Sequence, residues 1–138
     1  MIKLFFSGHG QIASGMKKSI DILTGDSSKL VVFDAYVNEE NVHDALHQFL
    51  DQTTSEDIKI LISDMVGGSV NQILYPYAAK SNTFLIAGVN LALLLELVAA
   101  ADREDITKTE IQDFIEQAKM SIQLIEINEN EQTDNEFF

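Results

Sequence analysis

Four short apolar runs, each followed by a stretch whose apolar residues recur three and four positions apart, set the plan of this chain. Residues 2–7 read as a strand, and Ile12, Met16, Ile20 and Leu23 continue at helical spacing until Gly25 ends the pattern. Residues 29–34 are β-branched and apolar; Val42, Ala45, Leu46, Phe49 and Leu50 then mark one face of a helix, with Asn38 as its expected N-cap. Residues 58–63 form the third run, which leads through Asp64-Met65-Val66-Gly67-Gly68-Ser69 into a helix over residues 70–80 that Pro76 should kink. Residues 83–89 make a fourth strand, and Asn90 caps a helix over residues 91–101 that is apolar on nearly every side and so belongs in a core or an interface. Thr107-Lys108-Thr109-Glu110 has the form of a capping box, with Ile111, Phe114, Ile115 and Ala118 on the face of the helix it opens. Residues 122–127 are a candidate fifth, antiparallel strand.

Continuous apolar strands that alternate with helices are buried on both faces, which a parallel sheet with helices on each side provides. The expected fold is α/β, a four-stranded parallel sheet of order 2-1-3-4 built with right-handed crossovers. In that order strands 1 and 3 are neighbours, and the chain reverses direction between them. Ligands collect at such a reversal, and the residues at the four carboxyl ends are His9, Asp34, Asp64 and Asn90. A crevice lined by these polar groups is the expected site.

A length of 138 residues fits one domain, taken as residues 1–127, with residues 128–138 as an acidic, flexible tail. No apolar run is long enough to span a bilayer and the amino terminus has no leader pattern, so a cytoplasmic protein without membrane insertion is expected. The absence of cysteine excludes disulfides, thiolate metal sites and cysteine nucleophiles. A formal charge of −13 argues against binding nucleic acid or an anionic membrane, and suits either solubility or the steering of a basic protein partner.

His9 lies between Gly8 and Gly10 where a strand gives way to a helix, a place where unpaired amides and the helix dipole favour an anion. If strands 1 and 3 are adjacent, their ends lie about 5 Å apart, and Asp64 can accept a hydrogen bond from one ring nitrogen of His9. The other nitrogen is then free to attack, and the carboxylate stabilises the cation that forms. Gly10, Gly67, Gly68 and Ser69 stand at helix starts where amides and a hydroxyl can hold phosphoryl oxygens. Together these residues outline a phosphohistidine site; one by one they also read as turn and capping residues. The scheme needs no metal and no cofactor. A rival reading takes Gly8-x-Gly10-x-x-Ala13, with Asp34 some twenty residues on, as a dinucleotide fingerprint, which would make the chain a non-enzymatic nucleotide-binding module. His43 and His47 stand at metal-ligand spacing on the second helix, but a partly exposed helix edge explains them as well.

These residues resemble the IIA proteins or domains of the mannose-type sugar phosphotransferase system (PTS). The resemblance rests on Ser7-Gly8-His9-Gly10, on Asp64-x-x-Gly67-Gly68-Ser69, and on Gly88-Val89-Asn90-Leu91 with Leu94-Leu95-Glu96. It implies that His9 accepts a phosphoryl group from the phosphocarrier protein HPr and passes it to a IIB protein or domain, with Asp64 paired to the ring. It also implies a homodimer joined in part by the last strand, and only indirect dealings with the membrane subunits IIC and IID. A phosphohistidine regulator uncoupled from transport would share these residues. Two departures stand out: Val70-Asn71-Gln72 where the family reads Pro-x-Asn, and Ala92-Leu93 where it reads Pro-Met. Proline in a first helical turn pre-organises the backbone rather than reacting, so Val70 and Ala92 should cost rigidity more than chemistry.

Overall fold

Strand β1 (Ile2–His9) lies in the interior of a sheet, hydrogen-bonded in parallel to β2 (Leu30–Ala35) on one side and to β3 (Ile58–Ser63) on the other. β4 (Thr83–Ala87) adds to β3, again in parallel, so the observed order is β2-β1-β3-β4, as the apolar runs predict. The computed structural model describes residues 1–128. The expected tail therefore falls outside the described residues, apart from Asn128.

Successive residues of a strand face opposite sides of the sheet, and both sides are covered. Leu4 and Phe6 of β1, with Ile60 and Ile62 of β3, point into a core shared with helices α1 (Ile12–Thr24), α4 (Leu91–Ala100) and α5 (Lys108–Lys119). Phe5 and Leu61 point the other way, against α2 (Val42–Asp51) and α3 (Ser69–Leu74), and the Phe5 and Phe49 rings lie 5.3 Å apart. Within α4, Leu93, Leu94, Leu97 and Ala100 are buried, which accounts for the near-uniform apolarity of that helix.

Several local expectations hold. Gly25 ends α1 with its N–H donating to the Asp21 carbonyl, Asn90 accepts from the Leu93 N–H, and Thr107 and Glu110 form a reciprocal capping box. Four differ. The N-cap of α2 is Asn41, whose side chain accepts from the Asp44 N–H; Asn38 instead accepts from the Glu40 N–H in the preceding turn. Pro76 does not kink a long helix: α3 ends at Leu74, and Pro76 sits in the first turn of the 3-10 segment Tyr75–Ala79, where its missing N–H costs nothing. Leu23 and Ile12 are both exposed, because Ala13 and Ile20 set the buried stripe of α1. The candidate fifth strand does not form within this chain. Residues 122–127 make no ladder with the sheet, and Ile122, Leu124, Ile125 and Ile127 are all exposed. Among the described residues no helix is long and apolar enough to cross a membrane.

Candidate active site

Register brings the first two site residues together. Ser7 pairs with Ser63, so the ends of β1 and β3 run side by side and place His9 next to Asp64. A single carboxylate oxygen, Oδ2 of Asp64, accepts from the His9 main-chain N–H at 2.9 Å and faces the ring Nδ1 at 2.8 Å. The Asp64 side chain is almost enclosed, at 9% exposed, whereas the imidazole is 46% exposed. Burial pushes the Asp64 carboxyl up, but the bonds from the His9 main chain and ring outweigh it and hold the group below its ordinary value. Because a carboxylate only accepts, Nδ1 carries a proton, and in the neutral ring Nε2 then holds the lone pair, turned away from the carboxylate. Glycine at position 8 is what lets the carboxylate come so close. A Cβ there would lie 2.8 Å from Cβ of Asp64 and 2.5 Å from Cγ2 of Ile12.

The loop after β3 turns at Gly67, whose φ of +71° lies in the left-handed region, and brings Ser69 to the start of α3. Its hydroxyl stands 3.3 Å from Nε2 of His9. Two neighbours in the sequence hold this loop: Asn71 Oδ1 accepts from the buried Ser63 hydroxyl at 2.9 Å, and Gln72 Nε2 donates to the Gly67 carbonyl at 3.1 Å. Gln72, a departure from the family pattern, thus has a structural task in this chain. The N–H groups of the first turn of α3 have no acceptor within the helix.

Tyr36, which the sequence did not single out, completes the site. Its ring centroid is 5.0 Å from that of His9, its hydroxyl is 2.6 Å from Ser69 Oγ, and its φ is +64°. No local signal announces it, since left-handed positions ordinarily carry glycine or asparagine.

Other expected residues are placed differently. The Gly10 N–H is already given to the Ala35 carbonyl at 2.9 Å, so Gly10 is not a free donor for an anion. At the start of α1 the carboxylate of Asp34 accepts from the Ser14 N–H at 2.9 Å and its hydroxyl at 2.5 Å, so the chain's own acid occupies that helix terminus. This removes Asp34 from the ribose-binding role that a dinucleotide fingerprint requires. Asn90 caps α4 and donates to the Ala118 carbonyl at 2.8 Å, tying α4 to α5. His43 and His47 stack at 5.4 Å, and His47 Nε2 is bonded to the Tyr77 hydroxyl at 3.1 Å. Among the described residues, no group of three or more His, Asp or Glu side chains converges in a way that could hold a metal ion. Asp34 and Asn90, expected to line a crevice with His9 and Asp64, are thus both engaged with helix termini. A groove lined by Lys3, Phe5, Val31 and Phe49 lies at the amino ends of the strands, away from His9, whose ring stands on an open surface.

Residues 3–116 match the family described as PTS system fructose IIA component. The PTS system fructose-specific EIIA component of Bacillus subtilis is 26% identical over 102 residues, spanning 72% of this chain and 70% of its own length. A protein of Klebsiella pneumoniae, described as a phosphoenolpyruvate-dependent sugar phosphotransferase system permease, superposes with a TM-score of 0.79 at 27% identity, covering 89% of this chain and 90% of its own. The mannose/sorbose specific IIA subunit of Enterococcus faecalis has the same fold, with a TM-score of 0.75 at 18% identity over 92% of this chain and 96% of its own.

Proposed function

This chain belongs to the mannose-type family of PTS IIA components, and from that premise we propose that it carries its phosphoryl group on Nε2 of His9. Members of the family are phosphoryl carriers of the sugar phosphotransferase system and act in a chain with its other components. The observation that carries the assignment to His9 is the 2.8 Å contact between Nδ1 and Asp64, which turns Nε2 of a half-exposed imidazole away from the carboxylate and towards the Ser69 hydroxyl.

The donor is phosphorylated HPr and the acceptor a IIB protein or domain. Transfer is in line: the bond from phosphorus to the donor's ring nitrogen breaks as the bond to Nε2 forms, and the electron pair stays with the donor. Catalysis is then positioning and charge stabilisation. Asp64 holds the ring in one tautomer and offsets the positive charge that builds on it. Ser69 and the first turn of α3 meet the phosphoryl oxygens, while Gly67 and Gly68 shape the loop that presents them. An exposed imidazole on an open face suits exchange between proteins, since the partner's own histidine must reach the phosphorus.

Assembly as a homodimer is part of the same reading, with the exposed apolar residues of 122–127 pairing with a second copy; Leu124→Lys together with Ile127→Lys should then yield monomers in sedimentation. The site itself is tested by incubation with phosphoenolpyruvate, enzyme I and HPr. His9→Ala abolishes phosphate incorporation, whereas His43→Ala and His47→Ala leave it intact. Incorporation that survives the His9 change excludes the site.

A further inference from the structure

We infer that Tyr36 is a positioning residue for phosphoryl transfer, acting on His9 through the hydroxyl of Ser69; the inference rests on His9 being the acceptor. The direction of the hydrogen bonds carries the argument. In the neutral ring, the form that can take up phosphorus, a proton on Nδ1 directed at Asp64 leaves Nε2 only able to accept, so the Ser69 O–H donates across the 3.3 Å contact. A serine hydroxyl has one hydrogen, and that hydrogen is now used. Ser69 Oγ is therefore the acceptor in the 2.6 Å bond, and the Tyr36 O–H is its donor. The result is a one-way chain from Tyr36 to Ser69 to Nε2.

The backbone is built to hold this chain in place. Tyr36 adopts a left-handed φ of +64°, uncommon for a bulky residue. Immediately before it, Ala35 is buried, registers with His9 across the sheet and accepts from the Gly10 N–H. The strand end that carries His9 is thus tied to the residue immediately before Tyr36. The ring itself lies tilted over the imidazole at 36°.

Transfer changes one link only. As the N–P bond forms, the lone pair of Nε2 is consumed and the donor's nitrogen keeps the pair from the bond that breaks. The Nδ1 proton remains with His9 and Asp64. Ser69 O–H loses its nitrogen acceptor and turns to a phosphoryl oxygen, while Tyr36 O–H continues to donate to Ser69 Oγ and polarises it towards the phosphate.

The test is a double-mutant cycle on the full chain, using phosphorylated HPr as donor and measuring kcat and KM for Tyr36→Phe, Ser69→Ala and both together. Tyr36→Phe keeps the ring and removes the donor. We expect kcat to fall about tenfold with KM unchanged, as for loss of one well-placed hydrogen bond. Adding Tyr36→Phe to Ser69→Ala should bring no further loss, and the 15N resonance of His9 Nε2 should shift in Tyr36→Phe while Nδ1 does not. An unchanged kcat overturns the inference, as does a full additional tenfold loss in the Ser69→Ala background or an effect confined to KM. His9→Gln is run alongside: incorporation that persists there sinks the acceptor assignment itself, whereas its loss with an unaffected Tyr36→Phe sinks only the role of Tyr36.

Discussion

Gly8→Ala should damage this site without touching any group that meets the phosphate. The new Cβ would lie 2.8 Å from Cβ and 3.0 Å from Cγ of Asp64, and 2.5 Å from Cγ2 of Ile12. Ile12 is partly exposed and can turn aside, but Cβ of Asp64 moves only with the backbone after β3. Carbon atoms settle at about 3.5 Å or more, so Asp64 must retreat from β1 by roughly 0.7 Å. Both bonds to His9, at 2.8 and 2.9 Å, are then stretched to the edge of hydrogen-bonding distance. Hydrogen bonds to a charged group contribute about 1.5–3 kcal/mol, and stiffening the unfolded chain returns about 0.5 kcal/mol. The net loss is about 1–2.5 kcal/mol, or roughly 3–9 °C in melting temperature for a domain of this size. Activity suffers more than stability, because a misplacement near 1 Å costs about a hundredfold in rate. The assay is the rate of phosphate transfer from phosphorylated HPr, followed by rapid mixing and an alkaline quench, with melting recorded on the same protein. A Gly8→Ala protein that transfers at the wild-type rate would refute the argument that the His9–Asp64 distance is set by the missing side chain.

Asp64→Asn retains an acceptor for the ring but no charge, and should slow transfer by about 10–100-fold, which a rate measurement on the purified variant checks. The same substitution probes pH. The folded-state carboxyl titrates below its ordinary value of 3.8, so its stabilisation is complete above that value and is lost as pH falls through the lower folded value. The stability gap between wild type and Asp64→Asn in urea should therefore shrink as the pH falls below 3.8; a gap that widens there would contradict the assigned direction. Asn90→Ala removes the cap of α4 and its tie to the Ala118 carbonyl, costing about 1–2 kcal/mol in urea unfolding with transfer unchanged. A large loss of transfer in that variant would place Asn90 in the site after all.

The architecture was readable because strand order and polarity follow from the alternation of apolar runs, and the His9–Asp64 pair follows from β1 and β3 being neighbours. Caps of the Asn90 and Thr107 kind were readable because their geometry is local. Failures came where a tertiary partner decides. Asn38 and Asn41 are both plausible caps by type, and only the turn that Asn38 closes with Glu40 selects Asn41. The Gly10 amide reads as free for phosphate because nothing local shows that Ala35, from the next strand, already occupies it, just as Asp34 occupies the start of α1. Tyr36 carries no local signal for the same reason, since its placement depends on a backbone angle and on a serine 33 positions away. Residues 122–127 have strand character, yet they pair with neither edge strand of the sheet, β2 or β4, and stay exposed.

The central claim is that one nitrogen of one histidine accepts the phosphoryl group. It is tested most directly by 31P and 15N spectroscopy of the protein after phosphorylation by phosphoenolpyruvate, enzyme I and HPr. The predicted result is a single acid-labile adduct on Nε2 of His9, with Nδ1 still protonated towards Asp64. Phosphate on Nδ1, or on His43 or His47, would contradict it.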